Sequence, residues 1–248
     1  MNRVAIISDI HGNLPALQTV LEDIRARSVD ALYCLGDLVG KGPQGDAVID
    51  LCRETCDGVV KGNWDEVIAH PSDFLDAQWH QGQLGEERLN YLRDLPHTIN
   101  LTMSGKRTRL YHASEKSVFT RVLIDVPNER RLAMFSNTEF TGFDMSEPDV
   151  VGYGDIHAAY VLPLSGKTLF NVGSVGNPLD EPLASYALLE GELDSNKPSD
   201  KPAPFSIQIV RIPYDIEAAI AVAKQMDTPE LEPYAKELRT AVYRGRQS

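Results

Sequence analysis

Short runs of β-branched and large apolar residues alternate with amphipathic stretches along most of this chain. The apolar runs, bounded by polar or turn residues, predict strands over residues 3–7, 31–35, 58–60, 98–103, 107–111, 150–153, 168–172, 185–189 and 206–212. That many strands need more than one sheet. Leu14, Leu17, Leu21 and Ile24 recur at helical spacing, with Asn13 placed to cap and Pro15 suited to the first turn, so a helix follows the first strand directly. Further helices are predicted over 46–54, 86–93 and 128–135, and again after Pro213, where Ile216, Ile220 and Ala223 share a stripe. Ser104-Gly105 and Ser165-Gly166 mark hairpin turns. The polar stretch 192–204 reads as a solvated hairpin loop between two strands of one sheet, and 244–248 as a frayed end. No internal repeat is found. The expectation is one domain over 1–248, with 213–248 a helical extension packed on it.

Composition narrows the function classes. With 42% hydrophobic and 24% charged residues the chain can build a core, and a net charge of -12 works against binding a nucleic acid polymer, which is held by clustered Lys and Arg. Small phosphorylated substrates stay open, because bound cations can dominate a cleft in an acidic protein. Cys34, Cys52 and Cys56 form no CxxC pair and read as buried thiols. The opening apolar run is too short for a signal peptide and nothing spans a membrane, so a cytoplasmic location is expected.

The chemistry lies just after the apolar runs: Asp9-Ile10-His11-Gly12-Asn13, Gly36-Asp37, Gly62-Asn63-Trp64-Asp65, His112 and Gly154-Asp155-Ile156-His157. In α/β sheets ligands bind at the carboxyl ends of strands, so these loops can converge although they are far apart in sequence. Carboxylates, imidazoles and one amide oxygen, with no cysteine, suit manganese, iron or zinc better than calcium. Two such ions about 3.5–4 Å apart can generate hydroxide at neutral pH and offset charge building on a phosphoryl group.

These motifs resemble those of the calcineurin-like metallophosphoesterases: Asp-x-His, Gly-Asp, Gly-Asn-His, a lone His and Gly-His-x-His, over about residues 3 to 190. The runs Asn171 to Pro178 and Ala184 to Leu189 resemble the bacterial branch usually described as non-specific phosphodiesterases. The resemblance implies an α/β four-layer sandwich of two mixed β-sheets flanked by helices. It implies two divalent transition-metal ions, manganese first, with Asp9, His11, Asp37 and His157 on one, and Asn63, His112 and the bridging Asp37 on the other. Asp37, Asn63 and His112 would be catalytic, with metal-bound hydroxide as nucleophile.

Two positions depart from the pattern. Trp64 stands where many members place a His that protonates the leaving group, and Asp155 replaces the first His of Gly-His-x-His, where it would ligate the second metal and add a negative charge. Asn13 and Lys41 are candidate phosphate contacts, and His80, in a loop-like stretch, is a candidate for the missing acid. The leading expectation is hydrolysis of phosphodiesters or nucleotide phosphoanhydrides, dinucleoside polyphosphates among them. A phosphomonoesterase or protein phosphatase is the alternative within enzymes, and a non-catalytic metal-binding scaffold the alternative outside them.

Overall fold

The computed structural model describes residues 1–194 and 203–245. Five strands, β1 (Asn2–Ile7), β2 (Ala31–Cys34), β3 (Gly58–Val59), β9 (Ala184–Gly191) and β11 (Ser206–Ile212), form one mixed sheet in the order β11-β9-β1-β2-β3. Six more, β4 (Thr98–Met103), β5 (Lys106–Tyr111), β6 (Val150–Tyr153), β7 (Tyr160–Leu164), β8 (Lys167–Asn171) and β10 (Leu193–Asp194), form the second in the order β10-β4-β5-β6-β8-β7.

Alternation along the central strands shows why the sheets face each other. In β1, Val4 and Ile6 join Leu110, Val150 and Phe170 of the second sheet in a shared core. Ala5 and Ile7 point the other way, into a core with Leu17 and Leu21 of α1 (Leu14–Ala26) and Val48 and Ile49 of α2 (Gly45–Thr55). The second sheet repeats the scheme, with Tyr111, Val151 and Tyr153 turned outward onto Met134 and Phe135, which follow α5 (Asn128–Ala133). Strands β1 and β6 are therefore buried on both faces, which explains runs such as Val4-Ala5-Ile6-Ile7 that do not alternate in polarity. The result is the four-layer sandwich of helices, sheet, sheet and helix.

Asn13 caps α1, its side chain accepting from the Ala16 amide at 3.2 Å, with Pro in the first turn. Ser104-Gly105 and Ser165-Gly166 have positive φ at both residues and close the β4–β5 and β7–β8 hairpins, the geometry that matches strand twist. Strands β7 and β10 and the short helix α3 (Asn63–Ala69) are additions to the sequence reading. The predicted third helix is the second half of α4 (Leu75–Asp94), whose two halves meet at Gly85, where φ is 70°.

Strands β9 and β11 pair antiparallel in one sheet as expected, but the segment between them first contributes β10 to the other sheet; residues 195–202 of the expected loop lie outside the described residues. The segment after Pro213 forms α6 (Ile216–Gln225) and α7 (Leu231–Thr240), which pack on each other and, through α6, on α1. At the expected frayed end, Arg244 instead binds Glu237; residues 246–248 lie outside the described residues. No helix among the described residues is long and apolar enough to cross a membrane.

Candidate metal centre

The loops that follow β1, β2, β3, β5 and β6 meet at the carboxyl end of both sheets and are stitched together through the backbone. The amides of Ile10 and His11 donate to the Asp37 carbonyl at 2.9 Å, Asp9 N donates to Gly36 O at 3.0 Å, and Gly176 N donates to Asp9 O at 3.0 Å. Such close approach needs glycine at particular points. A Cβ on Gly62 would lie 2.1 Å from an Asp37 carboxylate oxygen, and one on Gly154 would lie 2.5 Å from an Asp9 carboxylate oxygen. The side chains are aimed by unusual backbone: Asp9, His11, Asp37, Lys41, Asp155 and His157 all have φ between 50° and 61°. Left-handed conformations at non-glycine residues are unfavourable and cluster where surrounding structure over-determines them.

Asp9, His11, Asp37, His112 and His157 are thereby gathered, all buried. Nε2 of His11 and of His157 are 3.2 Å apart, and Asp9 Oδ1 lies 3.2 Å from His157 Nε2 and 3.9 Å from His11 Nε2. Ligand atoms about 2.1 Å from a common ion stand roughly 3–3.5 Å from one another, so this spacing suits a cation at the centre. Asp37 spans two neighbourhoods: Oδ2 is 3.5 Å from His11 Nε2 and Oδ1 is 3.6 Å from His112 Nε2. Asn63 Oδ1 lies 2.9 Å from His112 Nε2.

Each imidazole is oriented the same way. Nδ1 of His11 donates to Val39 O at 3.1 Å, that of His112 to Leu35 O at 2.8 Å and that of His157 to Asn177 O at 2.5 Å. A carbonyl can only accept, so Nδ1 carries the proton and Nε2 is turned inward, the arrangement that metal-binding histidines adopt. Asp9 Oδ1 is buried with no hydrogen-bond partner, an expensive state unless a cation meets it. The donors therefore fit a divalent metal site.

Electrostatics show what the cluster does without one. Burial lowers the His112 pKa, but Asp37, Asp9 and Asp155 outweigh it and push it up to about 9. Burial holds Asp37 well above the usual carboxylate range, and burial together with Lys41 holds His11 well below the usual imidazole range. Burial alone would raise Asp9, yet His157 draws it far down.

A calcineurin-like phosphoesterase superfamily domain is matched over residues 2–194. The chain belongs to that superfamily. It is 32% identical over 244 residues to an uncharacterized protein of Methanocaldococcus jannaschii, covering 92% of this chain and 94% of that one. Its structure is similar to that of a metallophosphoesterase from Sphaerobacter thermophilus, with a TM-score of 0.74, 27% identity, and 97% of this chain and 100% of that one covered. It also shares the fold of a hypothetical protein of Pyrococcus horikoshii OT3, with a TM-score of 0.78, 21% identity and coverage of 98% and 100%.

Against the pattern of this phosphoesterase superfamily, the remaining predicted site residues fall out differently. Asp155 borders the cluster, Oδ1 standing 4.0 Å from His112 Nε2, but Arg121 holds both its oxygens, at 3.1 and 3.0 Å. Lys41 reaches the edge of the site, its ammonium donating to Asn177 Oδ1 and lying 3.6 Å from Glu237 Oε2. Asn13 is engaged within the fold: besides capping α1, its Nδ2 donates to Gly176 O at 2.8 Å and to the Tyr214 hydroxyl at 3.3 Å. His80 is in α4 rather than in a loop. It is buried, its ring 6.3 Å from the Trp64 ring, which lies 6.2 Å from the His11 ring, and its Nε2 is 3.4 Å from Asp76 Oδ1. The lid placement expected for it is corrected accordingly.

Three residues were missed by sequence reading. Arg121 and Arg244 carried no motif and reach the site only through the fold. Asp65 did carry a signal, an acidic residue three positions into a helix that starts at Gly62. Its carboxylate accepts from the amides of Gly62, Asp37 and Leu38 at 2.8–2.9 Å and so clamps two of the site loops together.

Proposed function

We propose that this protein is a metal-dependent phosphoesterase acting on nucleotide phosphoanhydrides and phosphodiesters, with anhydrides favoured. Asp9, His11, Asp37 and His157 hold one divalent cation; Asn63, His112, Asp155 and the shared Asp37 hold the second. Manganese is the first choice for both, with iron or zinc as alternatives. The observation that carries this reading is Asp37, whose two oxygens face His11 and His112 at 3.5 and 3.6 Å. When bound, such a pair of ions supplies a nucleophile at neutral pH and offsets charge on the phosphoryl group.

The rest of the work falls to side chains. Asn63, held by His112, lines the cavity beside the cluster together with Arg121 and Lys41, which meet negative charge on the phosphoryl group. Asp155 alone would weaken attraction for polyanions, which would favour singly charged diesters; its pairing with Arg121 cancels that unit. Substrates with several negative charges are therefore accommodated. Trp64 supplies no proton to the leaving group, and His80 is buried against its ring. A phosphate leaving group needs less protonation than an alkoxide, which again favours anhydrides.

A panel of dinucleoside polyphosphates, nucleoside diphosphates, aryl diesters and aryl monoesters, assayed with added manganese, tests the reading. Anhydrides are expected to lead aryl monoesters by tenfold or more in kcat/KM. The reverse order would reject the substrate class. No turnover from chain shown to carry both metals would favour the scaffold.

A further inference from the structure

The small cavity beside Asp37, Asn63 and His157, about 130 Å³, adjoins a larger cleft of about 420 Å³. The two share Lys41, Arg121, His157 and Tyr243. The larger cleft differs in character. Leu123 and Ile124 from the loop after His112, Ala158 after His157, Leu179 and the Tyr243 ring give it apolar walls. Leu123, Ile124 and Tyr243 are 49%, 52% and 41% exposed, unusual for large apolar groups beside a charged centre.

We propose that this cleft is a nucleoside-binding subsite, so that the substrate lies with its reacting phosphate in the inner cavity and its nucleoside between Leu123, Ile124 and Tyr243. The proposal rests on the phosphoesterase reading above and adds to it the identity of the group beyond the phosphates. Arg121 stands at the junction. Two of its N–H groups hold Asp155, and its half-exposed guanidinium has three more to offer a second phosphate as the chain leaves the inner cavity. Lys41 adds positive charge at the same point.

The ligand must therefore have an anionic end joined to an apolar, bulky one, which excludes pyrophosphate and simple sugar phosphates as the best fit. Asp125 on the cleft wall separates a nucleoside from a fatty or purely aryl group. A carboxylate repels further phosphate but accepts readily from ribose hydroxyls or an exocyclic amine. The Tyr243 ring offers a face for stacking on a base. It is contributed by the segment after α7, beyond the residues 2–194 matched as the phosphoesterase domain. The stacking face is thus supplied from outside the matched domain, while the apolar walls come from within it.

The test uses two non-hydrolysable probes that differ only in the nucleoside, adenosine 5'-methylenediphosphonate and methylenediphosphonate. Their affinities for the full chain are measured by calorimetry with and without manganese. The nucleoside probe is expected to bind at least tenfold more tightly, and Ile124→Asp should cut that advantage at least fivefold. Ile124 is half exposed, so the variant should fold, which thermal melting checks; Tyr243→Ala provides an independent second variant. Equal binding of the two probes, or an advantage that survives both substitutions, overturns the subsite. Because binding is read without turnover, a protein that hydrolyses nothing would reject the proposed activity while leaving this result to stand or fall separately.

Discussion

Arg121 grips both carboxylate oxygens of Asp155, at 3.1 and 3.0 Å, at the edge of the metal cluster. An acid standing where relatives place an imidazole is thus matched by a base that no motif announces. The pair makes a specific kinetic prediction. Arg121→Ala should raise KM for anhydrides about tenfold or more, because it removes a phosphate contact and exposes the Asp155 charge to the substrate. The effect on a singly charged aryl diester should be several times smaller. Equal losses for both substrates would mean that Arg121 acts only by orienting Asp155.

Asp37→Asn should abolish turnover and lower metal content, since a neutral amide cannot bridge two cations. Its Oδ1 accepts from the Trp64 amide at 2.8 Å, a bond that the amide oxygen of Asn can keep, so the start of α3 should survive the change. Elemental analysis with a turnover assay checks this. Near-normal rates with two metals retained would remove Asp37 as the bridge.

Metal loading should depend on pH in a defined direction. His112 must lose a proton to bind a cation, and in the metal-free chain its pKa is raised to about 9. Affinity at the second position should therefore strengthen as pH rises from 6 towards 9 and level off above that. For the metal-free fold the sign is opposite. A raised imidazole pKa stabilises fully below the free value of 6.5 and is lost as pH rises through about 9. Calorimetric titration and thermal melts over this range test both, and metal affinity that is flat with pH would exclude His112 as a ligand.

How much of this could be read from the chain alone depends on how local the physics is. Asp9, His11, Asp37, Asn63, His112 and His157 follow strands that announce themselves by buried apolar runs, so their convergence at one end of the sandwich was legible. Asn13 was read both as the α1 cap and as a phosphate contact, because one residue type serves both roles, and its contacts with Ala16, Gly176 and Tyr214 come from the cap and from tertiary packing. The first half of α4 was hidden because Gly82 and Gly85 interrupt it and few of its positions are buried. Arg121 and Arg244 have long side chains whose targets, Asp155 and Glu237, are set by tertiary packing. Strand β7, YVLPL, is an edge strand carrying a proline, which sequence rules demote.

His80→Ala should leave the dependence on leaving group unchanged, because His80 is buried in α4 with its ring against Trp64. A loss of about 0.5–3 kcal/mol in stability is expected instead, from removal of a buried side chain. Selective slowing of substrates with poor leaving groups would restore His80 as the acid.

Glu237 ties the C-terminal helix to the site. It is fully buried in α7 and accepts from the Arg244 backbone amide and guanidinium at 2.9–3.0 Å and from Asn177 Nδ2 at 3.2 Å, with the Lys41 ammonium 3.6 Å away. Asn177 in turn receives the His157 Nδ1 proton on its carbonyl. Removing only the charge, by Glu237→Gln, leaves Lys41 and Arg244 without their counter-ion, and breaking one side of a buried pair typically costs about 3–5 kcal/mol. Arg244 is partly exposed, so the lower end, about 3 kcal/mol, is expected. Glu217→Gln, which breaks a solvent-exposed pair with Arg239 linking α6 and α7, is the control and should leave stability nearly unchanged. Burial would raise the Glu237 pKa, but Arg244 and Lys41 bring it down to about 2 from 4.5, so the wild type should keep this contribution above pH 4.5 and lose it as pH falls towards 2. Urea unfolding of the three proteins at pH 7 and pH 3 separates the effects: the difference between wild type and Glu237→Gln should shrink at the lower pH. A difference that stays constant would mean that the carboxylate charge is not what holds Lys41 and Asn177 against the metal centre.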